Sequence, residues 1–234
     1  MAKAVHKGHR GRVKDKFLSN GLDCFSDHEV IEFLLFYSIP RINVNETAHR
    51  LIEKFGSLRG VLEASYEDLL TVEGIGENSA TLIRFAAELS RRYLISDVKT
   101  QERFETLEKV GNYVVKLYAG EGVERVYVLL FNGKMELIKC VDLGEGTINS
   151  AKITPRKILE QAILNKASGI VLAHNHPSGL PVPSGSDIEF NSQLEYLCSQ
   201  VEVTLLEHLV VADGKFTPIM HRPTTSDGPI LKKY

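Results

Sequence analysis

A chain of 234 residues with 43% hydrophobic and 25% charged side chains has material for one or two domains with a sizeable core. Lysine and arginine (28) nearly balance aspartate and glutamate (30), which excludes the uniformly basic surface of a committed nucleic-acid binder. No apolar run approaches the ~20 residues that cross a bilayer. The start lacks the apolar heart of a signal peptide, and Cys24, Cys140 and Cys198 form no Cys-x-x-Cys pair. A cytoplasmic protein with no membrane partner and reduced thiols is expected, each cysteine a small buried hydrophobe.

In chain order, the first feature is a basic run: Lys3, Lys7, Arg10, Arg12, Lys14 and Lys16, with His6 and His9, against Asp15 alone. It reads as a solvated, partly disordered terminus, with phosphate contact as the alternative. Helical signals follow. Asp27 stands as a cap before Val30, Ile31, Phe33 and Leu34, in a helix that ends near Pro40. Asn45 precedes Ala48, Leu51, Ile52 and Phe55, stopping at Gly56, and Ser65-x-x-Asp68 is a capping box. Val72-Glu73-Gly74-Ile75-Gly76 then joins this segment to a helix carrying Leu82, Ile83, Phe85 and Leu89. Helix, Gly-x-Gly turn and helix resemble a helix-hairpin-helix, whose turn amides can hold a DNA phosphate. Glu77-Asn78 stands where such hairpins often place a cation, so a structural or protein-docking hairpin is an equal reading. Candidate DNA contacts are therefore the Gly74–Gly76 hairpin and the basic amino terminus.

Ser96 to Glu102 is polar and aperiodic, the best linker. It divides a helical domain (1–96) from a second domain (97–222), and a loose tail (223–234) follows. The second domain reads as α/β. Its elements are a helix with Leu107, Val110, Val114 and Leu117, strands at 123–131 and 136–141, a helix entered at Pro155, a strand at 169–173, a helix from Ser184 and a strand at 203–211.

The most informative stretch runs from His174 to Asp187. In an extended chain residues i and i+2 share a face, so His174 and His176 can converge on one ion, as they could not on a helix. A stiff loop with Pro177, Pro181 and Pro183 leads to Ser184, which opens a helix with Ile188, Phe190, Leu194 and Leu197 apolar. Asp187, in the first turn, faces back toward the strand end. Ser184-x-x-Asp187 is also an ordinary capping box, which alone carries no chemistry. Beside the histidines it completes a set of two imidazoles and one carboxylate, which leaves the fourth position of a tetrahedral zinc for water, as in catalytic sites.

His174-x-His176, seven residues, then Ser184-x-x-Asp187 resembles the JAMM motif of MPN-domain metalloproteases. The longer string, Ala173-His174-Asn175-His176-Pro177-Ser178-Gly179 with Pro181, looks like the bacterial RadC family over nearly the whole chain. The resemblance implies a cytidine-deaminase-like α/β JAMM/MPN domain preceded by a small all-α helix-hairpin-helix domain. It also implies a zinc metallopeptidase acting on a peptide or isopeptide-linked protein, with Zn2+ held by His174, His176 and Asp187. Glu124, ahead of Arg125-Val126-Tyr127, matches the motif's upstream glutamate and would act as general base. Ser184 would donate to the oxyanion. His208, in an acidic-His pair like the family's, is a candidate to orient a ligand or a plain strand histidine. Arg156 resembles the family's Pro-Arg step. The rival reading, of a different class, is a DNA-repair-associated module that uses the fold as a scaffold to dock DNA or protein.

Overall fold

The computed structural model describes residues 8–96, 103–148, 153–177 and 179–220. The expected linker beyond Ser96, the tail, Lys3, His6, Lys7 and Ser178 lie outside them. Contacts divide the chain between Ser90 and Arg91 into two compact units.

The helical unit contains α1 (His9–Asn20), α2 (Asp27–Ser38), α3 (Asn45–Phe55), α4 (Leu58–Glu63), α5 (Tyr66–Leu70) and most of α6 (Glu77–Ile95). Its core is aliphatic, with Ile31, Leu35, Leu51, Leu69, Ala80 and Ile83 wholly buried. The reading of residues 9–16 as a solvated basic run is corrected. They belong to α1, where His9, Arg10 and Lys16 turn inward to partners while Arg12 and Lys14 stay exposed. The Arg10 guanidinium donates to the carbonyls of Phe36, Ile39 and Ile42 at 2.9, 2.6 and 2.6 Å and lies over the Phe36 ring. Lys16 donates to Glu29 at 2.9 Å and sits over Phe25, while His9 reaches the buried Glu32 at 3.1 Å. A cation that completes the carbonyls at a helix end does more than a free charge, because those groups have no partner within the helix.

The cap of α2 also differs from expectation. Ser26, not Asp27, is the N-cap and forms a capping box with Glu29. Asp27 instead accepts from the Leu58 amide at 2.7 Å, tying α2 to α4. Asn45 is the first residue of α3. In the hairpin, Gly74 has φ 92°, and a Cβ there would meet Thr47 Oγ1 at 2.7 Å. This glycine answers to close packing on α3 and to a left-handed turn. Cys24 is exposed, against the expectation that it is buried.

The second unit is a five-stranded mixed sheet in the order β2-β1-β3-β4-β5. Its elements are α7 (Leu107–Leu117), β1 (Arg125–Phe131), β2 (Leu137–Glu145), α8 (Pro155–Leu164), β3 (Gly169–Asn175), α9 (Gly185–Ser199), β4 (Thr204–Ala212) and β5 (Lys215–Pro218). β1 pairs antiparallel with β2 and β3, β3 parallel with β4, and β4 antiparallel with β5. The β3–β4 connection is the α9 crossover that parallel strands require. Layers of side chains cover both faces. Val114 and Leu117 of α7 pack with Leu129, Phe131, Val171 and Ala173 on one. On the other, Ile158 of α8 and Phe190 and Leu194 of α9 pack with Val128, Leu130, Ile170 and Leu172. Every residue of β3 is buried. This explains why β3 reads as an apolar run rather than an alternation. Burial pushes the Cys140 and Cys198 thiols up to about 12, so neither is poised as a nucleophile. β5 was not anticipated, although Asp213 and Gly214, with φ 48° and 69°, form the kind of two-residue turn that joins hairpin strands. Among the described residues no helix is long and apolar enough to cross a membrane.

The α2 capping box yields a pH prediction. The Ser26 amide and then Lys16 hold the Glu29 carboxyl at about 2, below its ordinary 4.5. A carboxylate with a depressed folded pKa stabilises above its unfolded pKa and stops doing so as pH falls through the folded value. Glu29→Gln is therefore expected to cost about 0.5–1 kcal/mol near neutrality, discounted for its partial exposure. Urea unfolding of both proteins should show that difference shrinking as pH falls from 4.5 toward 2. A difference independent of pH would contradict the assignment.

Candidate metal centre

The centre forms where β3 leaves the sheet. Alternation along β3 sends Ile170 and Leu172 to the α8–α9 face, and His174 continues that series. His174 is wholly buried, whereas the His176 side chain keeps 22% of its surface exposed and so offers the cluster an approach from solvent. Beyond the strand end, the His176 amide donates to the Val211 carbonyl of β4 at 2.7 Å, which keeps the backbone extended for one more residue. Both imidazoles then point one way, and their Nε2 atoms stand 3.0 Å apart.

The third group arrives through the cap of α9. Ser184 Oγ accepts from the Asp187 amide at 3.2 Å, and Asp187 Oδ2 accepts from both the Ser184 amide and hydroxyl at 2.7 Å. This reciprocal box fixes the carboxylate, which places Oδ1 3.5 Å from His174 Nε2 and Oδ2 3.7 Å from His176 Nε2. Burial pushes the Asp187 carboxyl up. The hydrogen bonds from His174 and Ser184 outweigh that effect and hold it well below the usual carboxylate range. The amino-terminal end of α9 favours the same anion.

Glu124 lies one residue ahead of β1. Its carboxylate and the ligand nitrogens of His174 and His176 all lie within 4.8 Å of one another. The structure thus sets Glu124 beside His174 and His176 in one candidate metal group, and it sets Asp187, held by Ser184, beside the same two imidazoles but outside that group. Arg156 is not among them; it is exposed and pairs with Glu160 at 2.9 Å.

His208, left open by the sequence, belongs to the cluster's surroundings. Its Nε2 lies 3.0 Å from His174 Nδ1, both rings being wholly buried. Burial, followed by the neighbouring His174, holds the His208 imidazole well below its ordinary pKa and so neutral. When His174 presents a lone pair at Nε2, its Nδ1–H donates to His208 Nε2. His208 then carries its own proton on Nδ1, an atom with no hydrogen-bond partner among the described residues. Glu207 fixes the local backbone, accepting from the amides of His208 and Met220 at 2.8 and 2.9 Å. The available signal was the i, i+2, i+4 alternation on β4, which sets His208 and Val210 on one face.

The donor set fits a divalent ion. Two ligands of one tetrahedral zinc stand about 3.3 Å apart, given Zn–N near 2.0–2.1 Å. The His174–His176 separation of 3.0 Å lies near that value, and with Glu124 these imidazoles form a donor group that closes within 4.8 Å; Asp187 stands beside both, with Oδ1 3.5 Å from His174 and Oδ2 3.7 Å from His176. Two imidazole nitrogens at 3.0 Å also need a proton or a cation between them, because two facing lone pairs repel.

A mixed sheet whose central strand ends in His-x-His, beside a helix capped by Ser-x-x-Asp, belongs to an α/β domain of JAB/MPN type. Residues 104–222 match the RadC-like JAB domain, and residues 6–81 match the UPF0758 N-terminal region. A UPF0758 protein of Fusobacterium nucleatum is 33% identical over 224 residues, covering 92% of this chain and 96% of that protein. Another from Pseudoalteromonas atlantica is 32% identical, covering 87% and 91%, and one from Desulforudis audaxviator 31%, covering 89% and 90%. The chain belongs to the RadC (UPF0758) family.

Replacing His208 with leucine keeps volume but removes the partner of His174 Nδ1. Divalent-cation affinity is expected to fall about 10–100-fold, as when other outer hydrogen bonds to ligating imidazoles are lost. Glutamine, whose Oε1 can accept from Nδ1–H, should recover most of it. Competition against a chromophoric chelator reads the affinity, and unchanged binding in the leucine variant would remove His208 from this role.

Proposed function

We propose that this chain is a zinc-dependent metallohydrolase of JAMM type, a metallopeptidase or isopeptidase that cleaves an amide bond with an activated water. The observation that carries the reading is the convergence of the His174 and His176 Nε2 atoms, 3.0 Å apart, with the carboxylates of Glu124 and Asp187 beside them. His174, His176 and Asp187 hold the ion. Bound zinc supplies Lewis acidity, lowering the pKa of a water toward neutrality and polarising the scissile carbonyl.

The protein groups do the rest. A Glu124 carboxylate oxygen takes a proton from the attacking water and passes it to the leaving amine nitrogen. The carbon–oxygen bond forms, the carbon–nitrogen bond breaks, and a carboxyl group and an amine depart. The Ser184 hydroxyl, which rests on Asp187 at 2.7 Å, turns to donate to the oxyanion. Its amide, also at 2.7 Å, keeps Asp187 in place meanwhile. Such a donor is worth about 2–4 kcal/mol in other oxyanion holes. The substrate is a peptide or isopeptide-linked protein.

The rival reading, a DNA- or protein-docking scaffold, draws less support. Glu73 and Glu77 flank the Gly74–Gly76 turn, and Glu73 pairs with Arg50 at 3.7 Å, so acidic groups stand where a phosphate would want cations.

Two variants test the roles. Glu124→Gln is expected to keep its zinc, measured as metal per chain after dialysis, while turnover falls by about 10²–10⁴. Lost zinc would make Glu124 a ligand, and retained turnover would remove it as base. Asp187→Ala is expected to lose zinc, since two imidazoles alone hold it poorly. Full occupancy would sink the ligand assignment.

A further inference from the structure

The residue between the two histidines has a place in the fold that the metal centre does not use. Asn175 is buried, and by strand alternation it faces away from His174 and His176. Its side chain reaches sideways to the segment that carries Glu124. The Arg125 amide donates to Asn175 Oδ1 at 2.8 Å, and Asn175 Nδ2 donates to the Val123 carbonyl at 2.9 Å. The two bonds run in opposite senses, so each amide atom has a role it cannot exchange with the other. Together they grip the backbone on both sides of Glu124.

The sheet shows why a side chain is needed here. The β1–β3 ladder ends at Val126↔His174. Continued, it would set Arg125 opposite Asn175 and Glu124 opposite His176, but β1 and β3 form no further Cα pair in that direction. The Asn175 side chain takes over where the ladder stops. Other bonds complete the hold: the Gly146 amide donates to the Glu124 carbonyl at 2.9 Å, and the Tyr118 hydroxyl to the Arg125 carbonyl at 3.2 Å. The Arg125 guanidinium is anchored to Glu121, Asp142 and Glu145 at 2.7–2.9 Å.

We propose that Asn175 is a positioning residue: through its two bonds to Val123 and Arg125 it sets the Glu124 carboxylate against the imidazoles of the same His-x-His segment. One short stretch thus supplies two cation-binding side chains and, from the residue between them, the tether for the group that works beside them. An alanine at 175 leaves both histidines in place but frees the Glu124 backbone. A bond-for-bond substitute is hard to find, because aspartate supplies the acceptor and not the donor.

The inference rests on the role given to Glu124 above, and it is tested with zinc as the probe so that it does not depend on turnover. Asn175→Ala is made in the full chain, alone and with Glu124→Gln, and zinc affinity is measured by chelator competition. In the parent background a loss of roughly three- to tenfold is expected, because the displaced carboxylate no longer lends its charge to the ion. Glu124→Gln, which still holds its zinc through dialysis, should show the same modest loss, and Asn175→Ala should add none to it, since residues acting as one unit are non-additive. In the metal-free protein the Arg125 amide should exchange hydrogen at least about tenfold faster in the alanine variant. An affinity loss that persists at full size beside Glu124→Gln would show that Asn175 acts through the imidazoles instead. That result, or unchanged Arg125 exchange, overturns the proposal. If alanine fails to fold, Asn175→Ser, whose hydroxyl can still meet one of the two backbone groups, carries the same cycle. Turnover that survives Glu124→Gln alone would count against the general-base reading and leave the zinc cycle to decide the tether.

Discussion

The centre depends on one constraint: β3 is held between an antiparallel neighbour, β1, and a parallel one, β4, with both faces covered. A strand so enclosed cannot slip by one residue without turning its whole apolar set to the wrong face. Its register is therefore rigid up to its last residue, and so are the two imidazoles at its end. The candidate site residues lie where the ladders run out, as expected for open α/β sheets, whose sites form beyond the carboxyl ends of parallel strands.

At this edge backbone hydrogen bonds are replaced one by one. The His176 amide finds Val211, the Asn175 side chain finds Val123 and Arg125, and the Glu124 carbonyl finds Gly146. Buried backbone groups must be paired, so each substitution holds a candidate site residue as a by-product of satisfying the chain. The cap of α9 follows the same economy. Asp187 completes a capping box and in the same position turns its carboxylate toward both histidines. Functional and structural readings of Ser184-x-x-Asp187 do not compete, because the structural bonds are what orient the carboxylate.

The helical unit follows different rules. Its charges are spent on helix ends and crossings: Arg10 on three carbonyls, Asp27 on the Leu58 amide, His9 and Asn45 on the buried Glu32. A basic count read along the chain overstates what such a surface offers to phosphate, since Arg10 and Lys16 already have partners and only Arg12 and Lys14 of the described run stand exposed.

Much of the site was legible in the sequence because its signals are local. His-x-His after an apolar run needs only the two-residue period of a strand, and Ser-x-x-Asp before an apolar period needs only the geometry of a helix start. The helices from Asp27, Asn45, Ser65, Leu107 and Pro155 were legible for the same reason, although the cap of α2 moved by one residue to Ser26. Helix α1 was not, because the hydrogen-bond partners that make a basic run fold are 13 to 32 residues away. The short β5 was missed because a four-residue edge strand carries little pattern of its own. The sequence raised His208 as a candidate without deciding it, and it did not single out Asn175. A histidine in a strand and an asparagine in a motif become informative only once the parallel pairing of β3 with β4 puts one ring 3.0 Å from His174, and the antiparallel pairing of β3 with β1 puts Val123 and Arg125 within reach of the other side chain. Short-range periodicity, readable along the chain, says which residues can converge. Which residues hold them there emerges from strand pairing, because hydrogen bonds across strands join positions whose separation along the chain carries no period.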